Sequence, residues 1–495
     1  MTDETMVGID LGTSGVRVAA YDAGGSVLAA GSADLRAQTT DAWLDALAQA
    51  APPDLPEAPS VLAVDSTSGT VVPVDRTGEA VCDPLMYHET APEQGDRLAD
   101  TAAVRELADR GVTLGPTAPL AKLARLRERR PGAFGAARWF LDPAAWLTYR
   151  LRHPAGEPWR DLRTDWTNAR KFGADVLDRE PTWFEPAFEA AGVPVDRLPS
   201  VAAPGARVGP AASDLAESLG LAGAPLHLGV TDGNASALAM GCLSPGDCGV
   251  ACGSTSVLKL VTAEYEPREA LYYHRHPVEG YLAGAAFESG SLVEWVCDRL
   301  LGLPVAEALE LAAVAPADAA PRFYPPGTRS PFFDAGMDAA LTGLDADPDR
   351  SRAAARGGLV RGLATGVALA EGSYLPTFDD LVGGVERVRL LGGGGASEDG
   401  TDDGADGGSD DDGAYAWWDR LRAAVWDRPV VRVAPRTTAG AVVPAAVEAG
   451  VYPDAATARD RLVREVGPVE PACDPAAFAA ERADYRERWA ATGRL

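Results

Sequence analysis

Lysine is nearly absent from this chain of 495 residues, although acidic residues are abundant. The lysines are Lys122, Lys171 and Lys259, so arginine supplies almost all positive charge, and the formal net charge is -27 at pH 7. The chain therefore lacks a broad basic surface, which argues against binding to nucleic acid or to anionic membranes. The carboxylates resemble those of halophilic proteins, in which concentrated salt screens their repulsion. An acidic protein from a GC-rich genome is the alternative interpretation.

Long apolar runs and a leader-like start are also lacking. The chain begins MTDETMVGID, without a basic segment followed by an apolar one, and no apolar run is long enough to span a bilayer. We therefore expect a cytoplasmic protein. Its length, with 46% hydrophobic residues, allows more than one large domain and favours an enzyme over a small binding module.

An internal repeat relates the two halves of the chain. The segment GIDLGTSGVRVAAYD (8–22) aligns without gaps on GVACGSTSVLKLVTA (249–263), and each is typical of two strands joined by a Gly/Ser/Thr turn. A second pair, LHLGVTDGNASALAMG (226–241) and VRLLGGGGAS (388–397), is typical of a strand followed by a turn of small residues. Two similar domains are therefore predicted, with ligands bound where the strands end.

The domain boundaries and helices follow from this repeat and from the apolar spacing. We predict an α/β protein with domains 1–244 and 245–495 and with the active site in the cleft between them. A segment rich in Asp and Gly, 398–414, interrupts the second domain and has too little apolar surface to stay ordered. It is interpreted as a solvated insertion or as a regulatory lid at the nucleotide pocket. Helices are predicted over 117–130, 290–302, 350–371 and 417–427.

Two turns have the composition of phosphate-binding loops. Small residues let backbone N–H groups approach an anion, and the turns at 12–15 and 253–256 both have this composition. A Walker A loop is excluded because it requires Gly-Lys, and no lysine here follows a glycine. The first copy carries Asp10 where the second has Ala251, so we expect Asp10 to hold Mg²⁺ through water. The alternative is that Asp10 only binds turn amides.

The motifs DLGTSGVR, VTDGNASA, GSTS and LLGGGGAS, in this order, resemble those of the FGGY carbohydrate kinases over nearly the whole chain. The resemblance implies two actin-like, ribonuclease H-like domains that close over ATP, Mg²⁺ and a polyol or ketose. It also implies that Asp232 is the catalytic base, although an Asp before an alanine-rich helix could instead be a helix cap. The implied ATP-binding residues are Gly12, Thr13, Ser14, Arg17, Gly253, Ser254, Thr255, Gly393, Gly394, Gly395 and Ala396.

The sugar-binding segment departs from the familiar members of that family. Xylulokinases carry Gln-Met-His-Gly and glycerol kinases Arg-Glu where this chain has DSTSGT (65–70), and the later Trp-x-Asp-x-Arg becomes YHETA (87–91) without the arginine. The closest pattern is that of a subgroup related to ribulose and xylulose kinases, which favours D-ribulose ahead of D-xylulose. The implied substrate-binding residues are Asp10, Ser68, Tyr87, Glu89 and Asp232.

Two other functions remain open at this point. An actin-like or chaperone-like switch would share the phosphate turns but needs no carboxylate above a sugar, and Asp232 together with TDWTNA (164–169) favours a kinase. A family member that binds sugar without turnover is the second alternative, because the family's arginine is missing. No sequence pattern indicates the oligomeric state.

Overall fold

The computed structural model describes residues 4–177, 180–317, 320–326, 338–344, 351–392, 412–434 and 436–490. The first half forms a six-stranded sheet with helices on its faces and a helical region beside it. A 3₁₀ turn covers Val195–Arg197. The strands are β1 (Thr5–Leu11), β2 (Gly15–Asp22), β3 (Val27–Asp34), β4 (Val61–Ser66), β5 (Val72–Val74), β6 (Trp139–Leu141), β7 (Arg163–Asp165), β8 (Ala174–Asp175), β9 (Thr182–Trp183), β10 (Ser200–Ala202), β11 (Arg207–Pro210) and β12 (Pro225–Thr231). The helices are α1 (Thr40–Ala50), α2 (Pro92–Ala99), α3 (Ala102–Asp109), α4 (Pro119–Arg129), α5 (Pro131–Ala136), α6 (Pro143–Arg152), α7 (Trp166–Phe172), α8 (Glu185–Ala191), α9 (Asp214–Ser218) and α10 (Asp232–Ala239).

The second half forms a seven-stranded sheet with its own core. A π-helical turn covers Val296–Leu301, and a 3₁₀ turn covers Pro475–Phe478. The strands are β13 (Cys248–Cys252), β14 (Thr255–Thr262), β15 (Tyr272–Arg275), β16 (Tyr281–Glu288), β17 (Arg322–Tyr324), β18 (Ala340–Thr342), β19 (Val388–Gly392), β20 (Val430–Val433) and β21 (Glu465–Pro468). The helices are α11 (Gly290–Trp295), α12 (Val305–Val314), α13 (Arg352–Gly372), α14 (Leu375–Val382), α15 (Asp412–Trp426), α16 (Thr437–Glu448), α17 (Ala455–Leu462) and α18 (Ala479–Ala490).

The two sheets share one topology. In the first, the order β3-β2-β1-β4-β12 has antiparallel pairs among β1 to β3 and parallel pairs among β1, β4 and β12. In the second, β16-β14-β13-β19-β20 repeats that order and those directions. The repeated strand–turn–strand motifs occupy β1–β2 and β13–β14, at equivalent places. The predicted α/β class with two ribonuclease H-like domains is confirmed.

The predicted helices occur close to their expected places. Helices α4, α13 and α15 correspond to the predictions at 117–130, 350–371 and 417–427, although α15 already begins at Asp412. The predicted helix at 290–302 is divided, because regular α-helical bonding ends at Trp295 and a π turn follows as far as Leu301. Apolar spacing therefore located the helices but did not reveal this change in hydrogen bonding.

A helix from the end of the chain packs on the first sheet. Helix α16 lies against β1, β4 and β12, so closely that a Cβ added to Gly8 would be 2.2 Å from the carbonyl oxygen of Thr438. A Cβ on Gly440 would be 2.0 Å from the carbonyl oxygen of Ala235 in α10. Helix α16 therefore packs on the first sheet, although it follows the predicted domain boundary at residues 244 and 245. The physical reason is that α16 and α17 share an apolar core with the outer face of β1 and β2.

Within the described ranges, no helix combines the length and the apolar character needed to cross a membrane.

Candidate active site

The two predicted phosphate turns lie at equivalent ends of the two sheets. In the first, the Gly12 N–H donates to the carbonyl of Gly15 at 3.0 Å, and in the second the Gly253 N–H donates to the carbonyl of Thr255 at 3.3 Å. Helix α11 begins directly against the second turn, because a Cβ on Gly290 would be 2.4 Å from the carbonyl oxygen of Gly253. Both turns are thus closed by their own backbone and keep small residues at their tips.

A buried network of charges lies behind the second turn. The Ser256 hydroxyl donates to the Glu371 carboxylate, and Arg422 Nε donates to the other Glu371 oxygen at 3.0 Å. Arg422 also pairs with Asp419 at 3.2 Å, and all three charged side chains are at most 1% exposed. This network fixes the start of β14 through α13 and α15. Sequence analysis missed it because Glu371 is 115 residues from Ser256 and 51 residues from Arg422.

Asp10 is the penultimate residue of β1 and lies beside the first turn. Its Oδ2 accepts hydrogen bonds from Arg17 Nη1 at 3.2 Å and from the hydroxyl of Thr437 at 3.0 Å. Its Oδ1 faces Gly12, whose added Cβ would lie 3.7 Å away. Asp10 is therefore held by two side chains, and its other oxygen is directed at the turn. No three His, Cys, Asp or Glu side chains of the described residues converge on one metal position.

Asp65, on β4, lies beside Asp10. The parallel register pairs Asp10 with Asp65, and neither Asp65 oxygen receives a hydrogen bond from any described residue. Complete burial raises the pKa of Asp65 well above its usual value, and the neighbouring charges of Asp10 and Asp232 raise it further. Asp65 therefore favours its protonated form, in which it can donate to Asp10. Sequence analysis did not select Asp65, although a single Asp in the apolar run VLAVDS was the available signal.

Asp232 is the first residue of α10, immediately after β12. The N-cap position belongs to Thr231, and Asp232 Oδ1 accepts instead from the Gly233 N–H at 2.7 Å. Burial raises the pKa of Asp232 to about 6, against the opposing effect of the Gly233 N–H, and the charge of Asp10 adds to the rise. The N–H of Ser68 and the charge of Lys171 act in the lowering direction. Asp232 is therefore not the N-cap residue of α10, and its carboxylate lies near the cleft.

An open cleft of about 760 Å³ lies at this edge of the first sheet. It brings together the predicted residues Thr13, Ser68, Tyr87 and Asp232, and its other walls come from the segment before α4 and from α7. All of these lining residues belong to the first half of the chain. They are Thr13, Thr67, Ser68, Gly69, Tyr87, Thr113, Gly115, Thr117, Ala118, Pro119, Arg170, Lys171 and Asp232.

Cationic side chains surround the cleft, and sequence analysis missed them. Arg170 and Lys171 line it, and burial together with the charge of Arg170 lowers the pKa of Lys171 to about 8. Lys122 is fully buried, and its ammonium donates to the carbonyls of Gly69 and Met86 at 3.0 and 2.6 Å. Burial also lowers the pKa of Lys259 to about 8, and the charge of Arg170 contributes. Lys171 thus lines the cleft, Lys122 bonds to the lining residue Gly69, and Lys259 is near enough to Arg170 for their charges to interact.

Glu89 does not line the cleft. One of its oxygens accepts from the Met86 N–H at 3.0 Å, and the other accepts from Arg125 on α4. The sequence interpretation of Glu89 as a substrate contact therefore does not match its position, because this ion pair directs its carboxylate into the turn that carries Tyr87. Gly393, Gly394, Gly395 and Ala396, which the resemblance assigns to adenosine, lie outside the described residues.

Comparisons with known proteins agree with the predicted family. No protein-family model matches the chain. An autoinducer-2 kinase of Klebsiella pneumoniae is 23% identical over 499 aligned residues, which cover 92% of this chain and 88% of that protein. Solved structures of a xylulose kinase and a gluconate kinase, both from Lactobacillus acidophilus, each align with a TM-score of 0.79 at 17% identity, over 99% of this chain and 98% of theirs.

The similarity extends over both sheets and both phosphate turns, and it is shared by proteins that phosphorylate different small molecules. The motifs DLGTSGVR, VTDGNASA and GSTS lie at the strand ends that the common topology requires. These similarities support the predicted resemblance of the chain to the FGGY carbohydrate kinases.

Proposed function

We propose that this carbohydrate kinase transfers the γ-phosphate of ATP to a hydroxyl of a five-carbon ketose, with D-ribulose preferred to D-xylulose. The observation that carries the proposal is the position of Asp232. Its carboxylate stands at a strand-to-helix turn on the wall of the cleft, with Ser68 and the first phosphate turn on the same surface. A carboxylate in that place can accept the proton of a bound hydroxyl while phosphate approaches from the turn.

The electrostatics of the cleft suit this role. With a pKa of about 6, Asp232 is mostly ionised at pH 7 and still basic enough to accept a proton. Lys171 and Arg170 are placed to offset the negative charge of the transferred group. The Gly12–Gly15 turn would receive the phosphates on the first half, and Gly253–Ser256 on the second. The segment 393–396 remains the candidate for adenosine binding on the basis of the sequence alone.

Mg²⁺ would be held near Asp10 through water. Asp10 Oδ2 is already bonded to Arg17 and Thr437, so Oδ1, which faces the Gly12 turn, is the oxygen available to a hydrated cation. When bound there, the ion would neutralise part of the phosphate charge. In this scheme Arg17 holds Asp10 in place. Arg17 lies beside the phosphates without contacting them.

The choice of substrate rests on the polar groups that the cleft presents. Ser68, Tyr87, Thr113, Thr117 and Asp232 give it several hydrogen-bonding groups, so a substrate lacking a matching hydroxyl would leave some unpaired. This arrangement suits a molecule with hydroxyls along its length better than glycerol.

A second candidate substrate is autoinducer-2. Several curated relatives carry the name autoinducer-2 kinase, and one of them aligns over 92% of this chain. This candidate uses the same base, the same cleft and the same phosphate turns. Only the molecule beside Ser68 differs.

The test is ADP release with ATP and Mg²⁺ against a panel containing D-ribulose, D-xylulose, gluconate, glycerol and autoinducer-2. We expect kcat/KM for D-ribulose to exceed that for glycerol by at least tenfold, because unpaired polar groups are costly. Ser68→Ala should reduce this preference, whereas the matched control Ser32→Ala, on the exposed face of β3, should not.

The outcomes of this panel separate the alternatives. Sugar-independent ADP release would identify an ATPase switch, and sugar binding without ADP release would identify a member that has lost turnover. Best activity with glycerol or gluconate would contradict the proposed substrate class. Best activity with autoinducer-2 would leave Asp232 as base but replace the ketose.

A further inference from the structure

A second pocket lies at the opposite end of β2 from the first phosphate turn. It has a volume of about 600 Å³ and is formed by the turn between β2 and β3, the start of α16 and the segment after α17. The eight residues of β2 place it roughly 25 Å from the Gly12 turn, at about 3.3 Å per residue. We call it the arginine pocket. Its lining residues are Gly24, Gly25, Ser26, Val27, Arg436, Arg461, Val463, Arg464 and Glu465.

Three arginines in this pocket lack a carboxylate partner within the described part of the chain. Arg461 and Arg464 are exposed, and Arg436 is half-buried with its Nη1 donating to the carbonyl of Gly25 at 3.1 Å. Burial lowers the pKa of Arg436, and the charge of Arg464 lowers it further, so these guanidinium groups are near enough to repel each other. In a chain with net charge -27, three such arginines around one pocket form an unusual local excess of positive charge.

The neighbouring carboxylates are already engaged. Glu465, which lines the pocket, accepts from Arg387 and Arg389 of the second sheet. Asp460 pairs with Arg459 at 3.1 Å, and Asp22 Oδ1 accepts from the Ser26 N–H at 2.8 Å. Within the described residues, none of these acids forms an ion pair with the three pocket arginines.

The backbone makes this pocket a built feature of the fold. Gly25 has φ +84°, and a Cβ there would lie 1.8 Å from the carbonyl oxygen of Arg461. The β2–β3 turn is thus pressed against the end of α17, while Arg436 holds the same turn from the other side. Three guanidinium groups are consequently carried on elements that are fixed against one another.

We propose that the arginine pocket binds the phosphate group of a small phosphorylated molecule, or phosphate itself, as a site separate from the catalytic cleft. Guanidinium groups pair with phosphate through two parallel N–H donors, and several of them around one pocket suit its multiple oxygens. The lining contains three arginines and one glutamate, which favours an anion. The ligand is a small anion because the pocket has a volume of about 600 Å³.

A short path connects this pocket to Asp10. Arg436 occupies the N-cap of α16, and the next residue, Thr437, donates its hydroxyl to Asp10 Oδ2. The following residue, Thr438, shares a hydrogen bond of 2.6 Å with the hydroxyl of Tyr21 on β2. Movement of Arg436 towards a bound phosphate would therefore displace Thr437 and, with it, the Asp10 carboxylate that faces the phosphate turn. The site is placed to adjust the affinity of the cleft for Mg²⁺.

The test is calorimetric titration of the full chain with inorganic phosphate and, separately, with 3-phosphoglycerate, while ADP and Mg²⁺ saturate the cleft. We expect one additional phosphate site in the wild type. The double variant Arg461→Gln/Arg464→Gln should weaken it at least tenfold. The control Arg76→Gln/Arg207→Gln removes the same charge from exposed positions elsewhere and should leave it unchanged. Tighter binding of 3-phosphoglycerate would identify an organic phosphate as the ligand, and tighter binding of inorganic phosphate would identify the free ion.

Binding that the pocket variant and the control retain equally would overturn the proposal, and so would a wild type that binds no phosphate under these conditions. For the path to Asp10, the Mg²⁺ affinity of the ADP-bound protein is measured with and without phosphate. We expect a change of at least twofold that disappears in Arg461→Gln/Arg464→Gln. An unchanged Mg²⁺ affinity would reject the coupling. Neither measurement depends on turnover, so both are independent of the proposed kinase substrate.

Discussion

Asp65 and Asp10 lie side by side at paired positions of the parallel strands β4 and β1. Only Asp10 has charged and hydroxyl partners, whereas Asp65 is fully buried and receives no hydrogen bond from the described residues. Ionising both of two buried carboxyls so close to each other costs free energy, because their negative charges repel. Asp65 is therefore the member of the pair in which burial favours the protonated form.

This relationship predicts a pH-dependent effect of Asp65→Asn on stability. The folded-state pKa of Asp65 is raised, so its favourable contribution is complete below the unfolded value of about 4 and is lost as pH rises through the folded pKa. An amide carries no charge to bury. We expect the Tm of Asp65→Asn to be close to that of the wild type near pH 4 and to exceed it progressively at higher pH. Asp380→Asn, at an exposed position, is the control and should show no such trend.

Asp232→Asn should lower turnover by about 10² to 10⁴, the usual contribution of a general base. Sugar and ATP binding should remain within a few-fold, because the amide keeps the size of the carboxylate. Steady-state kinetics and calorimetric binding measure the two separately, with Asp380→Asn as the control. Near-normal turnover in Asp232→Asn would remove this residue from the mechanism.

The pH profile should identify the same group. Asp232 must be ionised to accept a proton, and its pKa is raised to about 6. We therefore expect kcat/KM to fall about tenfold per pH unit below pH 6 and to approach its plateau near pH 7. An enzyme that keeps full kcat/KM at pH 5 would contradict this pKa or this role.

Asp10→Asn should act mainly on the metal. The amide retains one oxygen but removes the charge that faces the Gly12 turn, so more Mg²⁺ should be needed for half-maximal ADP release. We expect a shift of at least fivefold, with a smaller effect on the KM for sugar. Arg17→Gln, which leaves the carboxylate in place, is a useful comparison. An unchanged Mg²⁺ dependence in Asp10→Asn would exclude Asp10 as the cation's anchor.

Salt should stabilise the folded chain. The net charge of -27 opposes the compact state, and dissolved ions screen that repulsion. We expect the Tm to rise as KCl increases from dilute to molar concentration. A Tm that stays constant or decreases over this range would argue for an ordinary acidic protein rather than a halophilic one.

Local sequence determined much of this protein. The strand–turn–strand repeat, the small residues of both phosphate turns and the position of Asp232 after an apolar strand depend on neighbours in the chain, so periodicity and turn composition revealed them. The difference between Asp10 in the first copy of the repeat and Ala251 in the second was also visible, because an internal repeat lets one copy be compared with the other.

Tertiary structure decided the rest. The neighbour of Asp10 is Asp65 because of a parallel register across 55 residues, and Glu89 turns away from the cleft because Arg125, on a helix beyond it, takes up its carboxylate. Lys171 lines the cleft, and Lys122, on a different helix, bonds to the carbonyl of Gly69 in its wall. Helix α16 joins the first sheet from the far end of the chain because glycines permit close backbone contact. Such proximities depend on strand register and packing between distant segments, which local propensity does not encode.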